Sequence, residues 1–347
     1  MKHLYSFIIS SFIFVSAHAQ IGGTATFASL DLVNSAREAA LGGNLICVKD
    51  GDINLAIKNP SLLDSSMDSQ LALSYVNYFT DINYGYVAFA KAIPKYGFFD
   101  IGMQYINYGT FALTDETGIQ TGEFSAGDYT LNMGWGHELK YGFSVGANLK
   151  NMYSHIESYS AYGLATDLAG TYSNEKYMFT AALLIKNIGV EVKPYVSGNR
   201  ERLPLDIQLG ISKRLSHMPF RLSIIADHLE KPNISFTDPT ETTTDIVTQE
   251  VTQIEPGLGT KIAEHFIFGG EFLPSKHFSL RFGYNFRRRS ELGIDAKMGF
   301  VGFSWGFGVK ISMFQLSYAM ATYHLGGTSN NFTITTNLSQ FHSKKKE

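Results

Sequence analysis

Ser173 and Lys176 have the spacing of a serine nucleophile and an activating lysine, because Ser-Asn-Glu-Lys fits the pattern S-x-x-K. Ser197-Gly198-Asn199 loosely fits the second element of such a site, but the third element, Lys-Thr-Gly, does not occur in the chain. The nucleophile of that site opens a helix, whereas Ser173 lies at a predicted turn between two strands. We therefore predict no catalytic residue and no enzymatic activity.

Metal and cofactor sites are not predicted either. Asp50-Gly51-Asp52 lacks the spaced ligands and the closing glutamate of a calcium loop, and turn chemistry explains it better. The ten histidines contain no H-x-x-x-H or H-E-x-x-H pair. Gly257-Leu258-Gly259 has no strand before it and no helix that would complete a phosphate loop. We expect no metal ion and no cofactor.

The N-terminus has the features of a secretory signal. Lys2 and His3 form a short positive head, residues 4–16 are almost uncharged and apolar, and Ala17-His18-Ala19 provides a small-x-small cleavage site. We predict that residues 1–19 are removed and that the mature chain begins at Gln20. Since no cysteine follows the cut, a lipoprotein anchor is not expected.

Composition narrows the class of the exported protein. The sequence is 44% hydrophobic and 14% aromatic, contains 33 glycines, and is only 17% charged, which favours strands and turns. No apolar stretch of the mature chain approaches the roughly 20 residues that a membrane-spanning helix needs. The single cysteine, Cys47, excludes an internal disulfide. A net charge of −3 gives no reason to expect nucleic acid as a partner.

From Leu71 onward, hydrophobic and polar residues alternate, as expected for strands with one face in lipid and one in a lumen. In one example, Phe278, Leu280, Phe282 and Tyr284 form one row and Ser279, Arg281, Gly283 and Asn285 the other. About fourteen such segments lie in 70–341, and every second connection between them is short. These patterns predict an all-β fold, a transmembrane antiparallel β-barrel of about 14 strands.

Residues 20–69 do not alternate, and we predict that they form a hatch, or plug, with a helix near Asn34 to Leu41 that ends at Gly42-Gly43. Residues 35–43, 50–52 and 59–61 resemble the N-terminal signature of the FadL and PorV barrel superfamily. Further motifs, at 21–24, 265–274, 306–310 and 323–327, resemble the PorQ-like barrels of the type IX secretion system of Bacteroidetes. The resemblance implies an N-terminal hatch inside a fourteen-stranded barrel, with candidate hatch residues Arg37, Gly42, Gly43, Asn59 and Pro60.

Two outer connections are candidates for partner contact. Arg287, Arg288 and Arg289 lie in one of them, and either contact with anionic lipopolysaccharide or a partner, or simple solvation, explains them. The connection 230–263 is the longest, and loops beyond about 15 residues are usually functional or disordered. The basic tail, 342–347, is explained as a soluble end.

Two functions remain open. The resemblance to PorQ-like barrels implies a non-enzymatic anchor for a surface attachment complex, with outer-membrane lipids and the type IX proteins PorZ, PorU and PorV as partners. The alternative is FadL-like transport of hydrophobic molecules. A transporter should have an apolar path, whereas the predicted lumen rows are mainly Gly, Ser, Asn and Gln. Both functions place the protein in the bacterial outer membrane.

Overall fold

A computed structural model describes residues 26–78, 82–235, 242–244, 251–253, 256–292, 299–324 and 327–343. Fourteen of its strands form a closed antiparallel barrel, which confirms the predicted fold class. Two further short strands, β10 and β11, pair only with each other. The strands are β1 Gln70–Asn77, β2 Asn83–Ile93, β3 Gly97–Thr114, β4 Gln120–Glu138, β5 Phe143–Ile156, β6 Tyr159–Asn174, β7 Phe179–Lys193, β8 Asp206–Arg214, β9 Phe220–Ala226, β10 Thr242–Thr244, β11 Val251–Gln253, β12 Phe266–Phe272, β13 Phe278–Asn285, β14 Phe303–Ile311, β15 Phe314–His324 and β16 Gly327–Asn337.

The barrel closes where β1 pairs with β16. Leu73 lies opposite Val87 of β2 and opposite Ile334 of β16, so the first and last strands share one register. All three side chains are more than 40% exposed on the outside of the barrel. A continuous apolar outer row of this kind suits lipid, and closure leaves no sheet edge to be satisfied in a membrane.

Inward and outward positions alternate as predicted. In β13, Ser279, Arg281, Gly283 and Asn285 are buried in the lumen, whereas Phe278 and Phe282 are exposed on the outer face. The strand connections agree with the predicted pattern only in part: those at one end are all short, and the long connections 194–205, 227–265 and 286–302 lie at the other. At that second end 157–158 is also short, and most of the predicted loop 108–127 is strand, because β3 and β4 continue to Thr114 and from Gln120. Bacterial barrels have their short turns on the periplasmic side, and we call that end the turn end and the opposite one the loop end.

The chain before the barrel lies inside it. Residues 26–69 carry two short helices, α1 Ala36–Ala40 and α2 Ile53–Ala56, and three 3₁₀ turns. Their apolar side chains, among them Leu45, Ile53 and Leu62, form a buried core with inward residues of the wall such as Ala88 and Leu184. The predicted helix over 34–41 is shorter than expected, because Ser35 caps it and Leu41 already leaves the helical region.

The remaining helices, α3 Leu258–Ala263, α4 Phe286–Leu292 and α5 Ser339–Ser343, flank strands of the barrel. None of the helices in the described ranges is long and apolar enough to cross a bilayer. The last strand ends at Asn337 rather than at the predicted 341, because the Leu338 amide bonds to Ser69 O and α5 follows. The predicted signal peptide, the basic cluster Lys344–Lys346 and most of the long connection from Thr237 to Glu255 lie outside the described residues.

Candidate functional site

Arg37 lies on α1, at the surface where the hatch meets the barrel wall. The helix starts at Ser35, whose hydroxyl oxygen accepts a hydrogen bond from the Glu38 amide at 3.3 Å, as N-cap residues do. The Ala36 amide donates to Thr333 Oγ1 of β16 at 2.9 Å, which fixes the first turn against the wall. Arg37 is thereby directed away from β16, and only 5% of the residue is exposed.

The arginine cluster consists of Arg37, Arg221 and Arg281 with the carboxylates of Asp50, Asp52 and Glu271. Arg37 donates to both Glu271 oxygens at 3.0 Å, to both Asp50 oxygens at 2.8 and 3.0 Å, and to Asp52 Oδ2 at 2.9 Å. Arg221 of β9 bridges Asp50 and Glu271 at 2.7 and 2.8 Å, and Arg281 of β13 reaches Glu271 at 3.1 Å. Three guanidiniums thus neutralise three carboxylates, and two-pronged contacts of this type are the strong ones.

The electrostatics keep the hatch side of this cluster charged. Burial alone would raise the pKa of Asp50, but the guanidiniums of Arg37 and Arg221 lower it well below its usual value. Burial alone would lower the pKa of Arg37, but Asp50, Glu271 and Asp52 raise it. Glu271 lies one residue from the turn end of β12, so the cluster ties the hatch to the wall toward the turn end of the lumen.

Gly42 and Gly43 allow the hatch backbone to lie directly on the wall. Both have positive φ, at 92° and 97°, which a side chain would strain. The Gly42 amide donates to Ser304 Oγ at 3.0 Å, and its carbonyl accepts from Asn285 Nδ2 at 3.1 Å. A Cβ at Gly283 of β13 would collide with the Gly42 backbone. The predicted hatch glycines are therefore required for close approach.

Asn59 and Pro60 make a second backbone contact with the wall. Asn59 caps a 3₁₀ turn over Pro60–Leu62 by accepting from the Ser61 amide at 3.1 Å, and its Nδ2 donates to Ile46 O at 2.7 Å within the hatch. Glycines at 136 and 146 provide the space for this turn, since a Cβ at Gly146 would meet the Pro60 backbone. All five predicted hatch residues thus lie at or beside the surface between hatch and wall.

A small cavity remains between the hatch and strands β2 to β7. Its volume is about 30 Å³, which is room for roughly one water. We call it the lysine cavity, because Lys58 of the hatch and Lys150 and Lys186 of the wall line it. Lys150 pairs with Asp167 at 2.7 Å, and Lys186 lies 3.4 Å from Asp31 and 3.7 Å from Asp206.

The hatch contributes one ion pair to this cavity, between Lys58 Nζ and Glu38 Oε1 at 3.6 Å. Burial lowers the pKa of Lys58 and raises the pKa of Glu38, although each residue's charge opposes the shift of the other. The two shifts both act against the charged form of the pair. This contact is therefore weaker than the arginine contacts at the turn end.

Arg287, Arg288 and Arg289 begin α4 at the loop end. Arg288 is 8% exposed, its amide donates to Asn285 Oδ1, and its Nη2 lies 3.4 Å from Gly42 O of the hatch. Arg289 donates to Gly299 O at 2.9 Å, and Arg287 is partly exposed. The three arginines are therefore not equivalent, and Arg288 belongs to the contacts between hatch and wall.

The wall partners were not identified from the sequence. Glu271, Arg221, Lys150, Lys186 and Asp206 are charged residues on inward rows, and all of them pair with other buried or hatch charges. The sequence did indicate that such partners exist, because a charged residue on a lumen row requires an oppositely charged residue nearby. The partner of each charge could not be assigned, because the two residues lie far apart in the sequence. Arg37 and Glu271, for example, are 234 positions apart.

No protein-family model and no curated protein matches the chain. Among solved structures, the toluene transporter TodX of Pseudomonas putida aligns with 12% identity and a TM-score of 0.53, covering 89% of this chain and 99% of that one. The Ralstonia pickettii toluene transporter TbuX aligns with 12% identity and a TM-score of 0.51, covering 88% and 98%. A TodX mutant described as a monoaromatic hydrocarbon channel aligns with 13% identity and a TM-score of 0.52, covering 88% and 99%. At these identities the likeness concerns the fold alone, a closed antiparallel β-barrel.

Proposed function

We propose that this protein is a non-enzymatic barrel of the bacterial outer membrane, that its hatch stays closed, and that it acts as an anchor for a surface attachment complex of secreted proteins. The charged contacts between the hatch and the barrel wall carry the proposal. The arginine cluster ties the hatch to strands β9 and β12 through charge-assisted hydrogen bonds of 2.7–3.0 Å, and Arg281 of β13 joins the cluster through Glu271. The sequence resemblance to PorQ-like barrels supplies the identity of the complex, with PorU, PorV and PorZ as the proposed partners.

The lining of the lumen supports an anchor over a passage for hydrophobic molecules. The cavity of about 30 Å³ is lined by three lysines and by polar side chains such as Asn132, although Ile57 and Met103 also line it. An aromatic hydrocarbon would need a larger, apolar space, because burying charged groups against an apolar ligand costs free energy.

A second candidate is FadL-like transport of small hydrophobic molecules. The structural comparisons favour it, since the neighbours reported above are named as toluene transporters and a hydrocarbon channel. An apolar group near the loop end, formed by Phe27, Leu30, Met152 and Leu203, is the feature of the interior that suits it. Transport through this barrel requires the hatch to move, and the anchor does not.

The deciding experiment deletes the gene and measures two properties in the same strain. If the protein is an anchor, secreted proteins are released into the medium instead of staying on the cell surface, while uptake of toluene is unchanged. A tagged copy purified from outer membranes should then bring PorU, PorV or PorZ with it. Normal surface attachment combined with lost toluene uptake would establish the second candidate instead.

A matched pair of variants locates the binding surface. Replacing Thr237 to Glu255 with a short Gly/Ser linker leaves the barrel strands intact, and loop length adds little to the entropy of closure. In an anchor that uses this connection, the amount of co-purified partner falls. The control replaces the turn at Ser216 to Met218, at the opposite end of the barrel, and should leave the surface complex unchanged.

A further inference from the structure

Three potential metal ligands meet at the loop end, outside the contacts between hatch and wall. Asp206 is the first residue of β8, and His228 and Glu230 follow the end of β9. One ligand atom from each lies within 4.8 Å of the others. We call these three residues the rim cluster. It lies where the chain leaves the barrel wall for its longest connection.

Backbone contacts hold the two carboxylates in place independently of any ion. Glu230 Oε2 accepts a hydrogen bond from the Ile207 amide at 2.9 Å, and Asp206 Oδ1 accepts one from the His228 amide at 2.9 Å. His228 has a positive φ of 52°, unusual for a residue other than glycine, and this conformation turns it back toward β8. The cluster is therefore organised by the fold.

The distances suit a small tetrahedral ion. His228 Nδ1 lies 3.4 Å from Glu230 Oε1 and 3.8 Å from Asp206 Oδ1. In a tetrahedral zinc site with bonds of about 2.0–2.2 Å, neighbouring ligand atoms are about 3.4 Å apart. The third pair, between the Asp206 and Glu230 oxygens, lies within 4.8 Å, so the carboxylates must move toward each other when the ion binds.

The surrounding charges also favour a cation. Asp227 is buried, and its Oδ1 has no hydrogen-bond partner in the described part of the chain. The site therefore holds three carboxylates, those of Asp206, Asp227 and Glu230, and two positive neighbours. Lys186 lies 3.7 Å from Asp206, and Arg287 interacts with Asp227.

We propose that Asp206, His228 and Glu230 bind a divalent transition-metal ion of the zinc type, with solvent completing the coordination. Imidazole and carboxylate together suit zinc, and the neutral imidazole supplies Nδ1. The bound ion joins the start of β8 to the segment after β9. It therefore fixes the base of the long outer connection.

The test is zinc titration of the full mature barrel, purified in detergent with a tag that contains no histidine and stripped with EDTA. Calorimetry at pH 7.5 should give one zinc ion per chain, and bound zinc should raise the temperature of heat unfolding. H228A should weaken binding at least tenfold, and E230Q should weaken it while leaving the imidazole in place. H265A is the matched control, because His265 lies at the same rim, with its Nδ1 2.8 Å from Asp227 O. The H265A variant should bind zinc as tightly as the wild type.

Zinc bound with less than one ion per chain, or bound equally by wild type and H228A, would overturn the proposal. If H228A fails to assemble, E230Q and D206N decide the question in its place. Loss of binding in H265A with retention in E230Q and D206N would move the site to other residues and would also overturn it.

Discussion

The two ends of the contact between hatch and wall differ in how they treat buried charge. At the turn end, three arginines and three carboxylates form hydrogen bonds of 2.7–3.1 Å, and the hatch carboxylate Asp50 stays charged. In the lysine cavity, the hatch pair of Lys58 and Glu38 is 3.6 Å apart and burial acts against its charged form. Planar guanidiniums satisfy several carboxylate oxygens at once, whereas an ammonium acts as a point charge. We infer that the contacts at the turn end hold the hatch in place, and that the contacts in the lysine cavity contribute little to holding it.

Removing the central arginine should have the largest effect. Arg37→Ala leaves Glu271, Asp50 and Asp52 with Arg221 and Arg281 alone, and breaking a buried ion pair from one side typically costs about 3–5 kcal/mol. We expect a lower midpoint of urea unfolding in lipid vesicles and a higher ion conductance, because the hatch loosens.

Lys49→Ala is the control for that variant, since the Lys49 pair with Glu138 has a half-exposed carboxylate and such pairs contribute little. Equal unfolding midpoints for the two variants would show that the arginine cluster does not hold the hatch in place.

A substitution on the outer face of the barrel shows how large an effect a change outside the lumen has on stability. Leu149 is 48% exposed near the middle of β5, and Leu149→Arg should cost about 2–4 kcal/mol without raising conductance. Val196, at 60% exposure, lies in the connection between β7 and β8, so Val196→Arg should change the free energy of unfolding little. If both variants unfold alike in vesicles, the assigned lipid face is wrong.

Acid should weaken the turn end first. The folded-state pKa of Asp50 is lowered, so its contribution to stability is present above the unfolded pKa of about 3.9 and is lost as pH falls below it. Unfolding of the wild type in vesicles should become easier as pH falls below about 4, and increasingly so at lower pH, because the folded pKa lies well below the unfolded one. In Asp50→Asn this acid step should be smaller, and an undiminished step would mean that other carboxylates cause it.

The smallest effect is expected in the lysine cavity. Because burial raises the pKa of Glu38, its folded form favours the proton, and any stability from this shift is present below the unfolded pKa and is lost as pH rises. Glu38→Gln keeps the shape and removes the charge, so we expect a change of about 1 kcal/mol or less in the free energy of unfolding. A loss as large as that of Arg37→Ala would show that the hatch is held at both places.

The wall could be predicted from the sequence and the arginine cluster could not. Alternation places Ser279 and Arg281 inward and Phe282 outward without any tertiary information, because the side-chain period of a strand is two. The position of the hatch came from resemblance and from a lack of alternation in 20–69. The pairing of Arg37 with Glu271 depends on how the hatch docks in three dimensions, and nothing local in either segment encodes it.

The central claim is that the protein works with its hatch closed, and a disulfide between hatch and wall tests it. A Cβ at Gly269 of β12 would lie 3.4 Å from Leu41 Cβ, at the short end of the spacing in disulfides, and would collide with Ser223 Oγ, so the design also needs Ser223→Ala in every variant. We would combine Leu41→Cys and Gly269→Cys in a Cys47→Ala background, with each single cysteine as a control.

The measurement is surface attachment of secreted proteins by cells carrying the oxidised, cross-linked barrel. We expect cells with the cross-linked barrel to attach secreted proteins as well as the single-cysteine controls do, before and after reduction. Attachment that is lost in the cross-linked form and restored by a reducing agent would show that the hatch must move, and would contradict the claim.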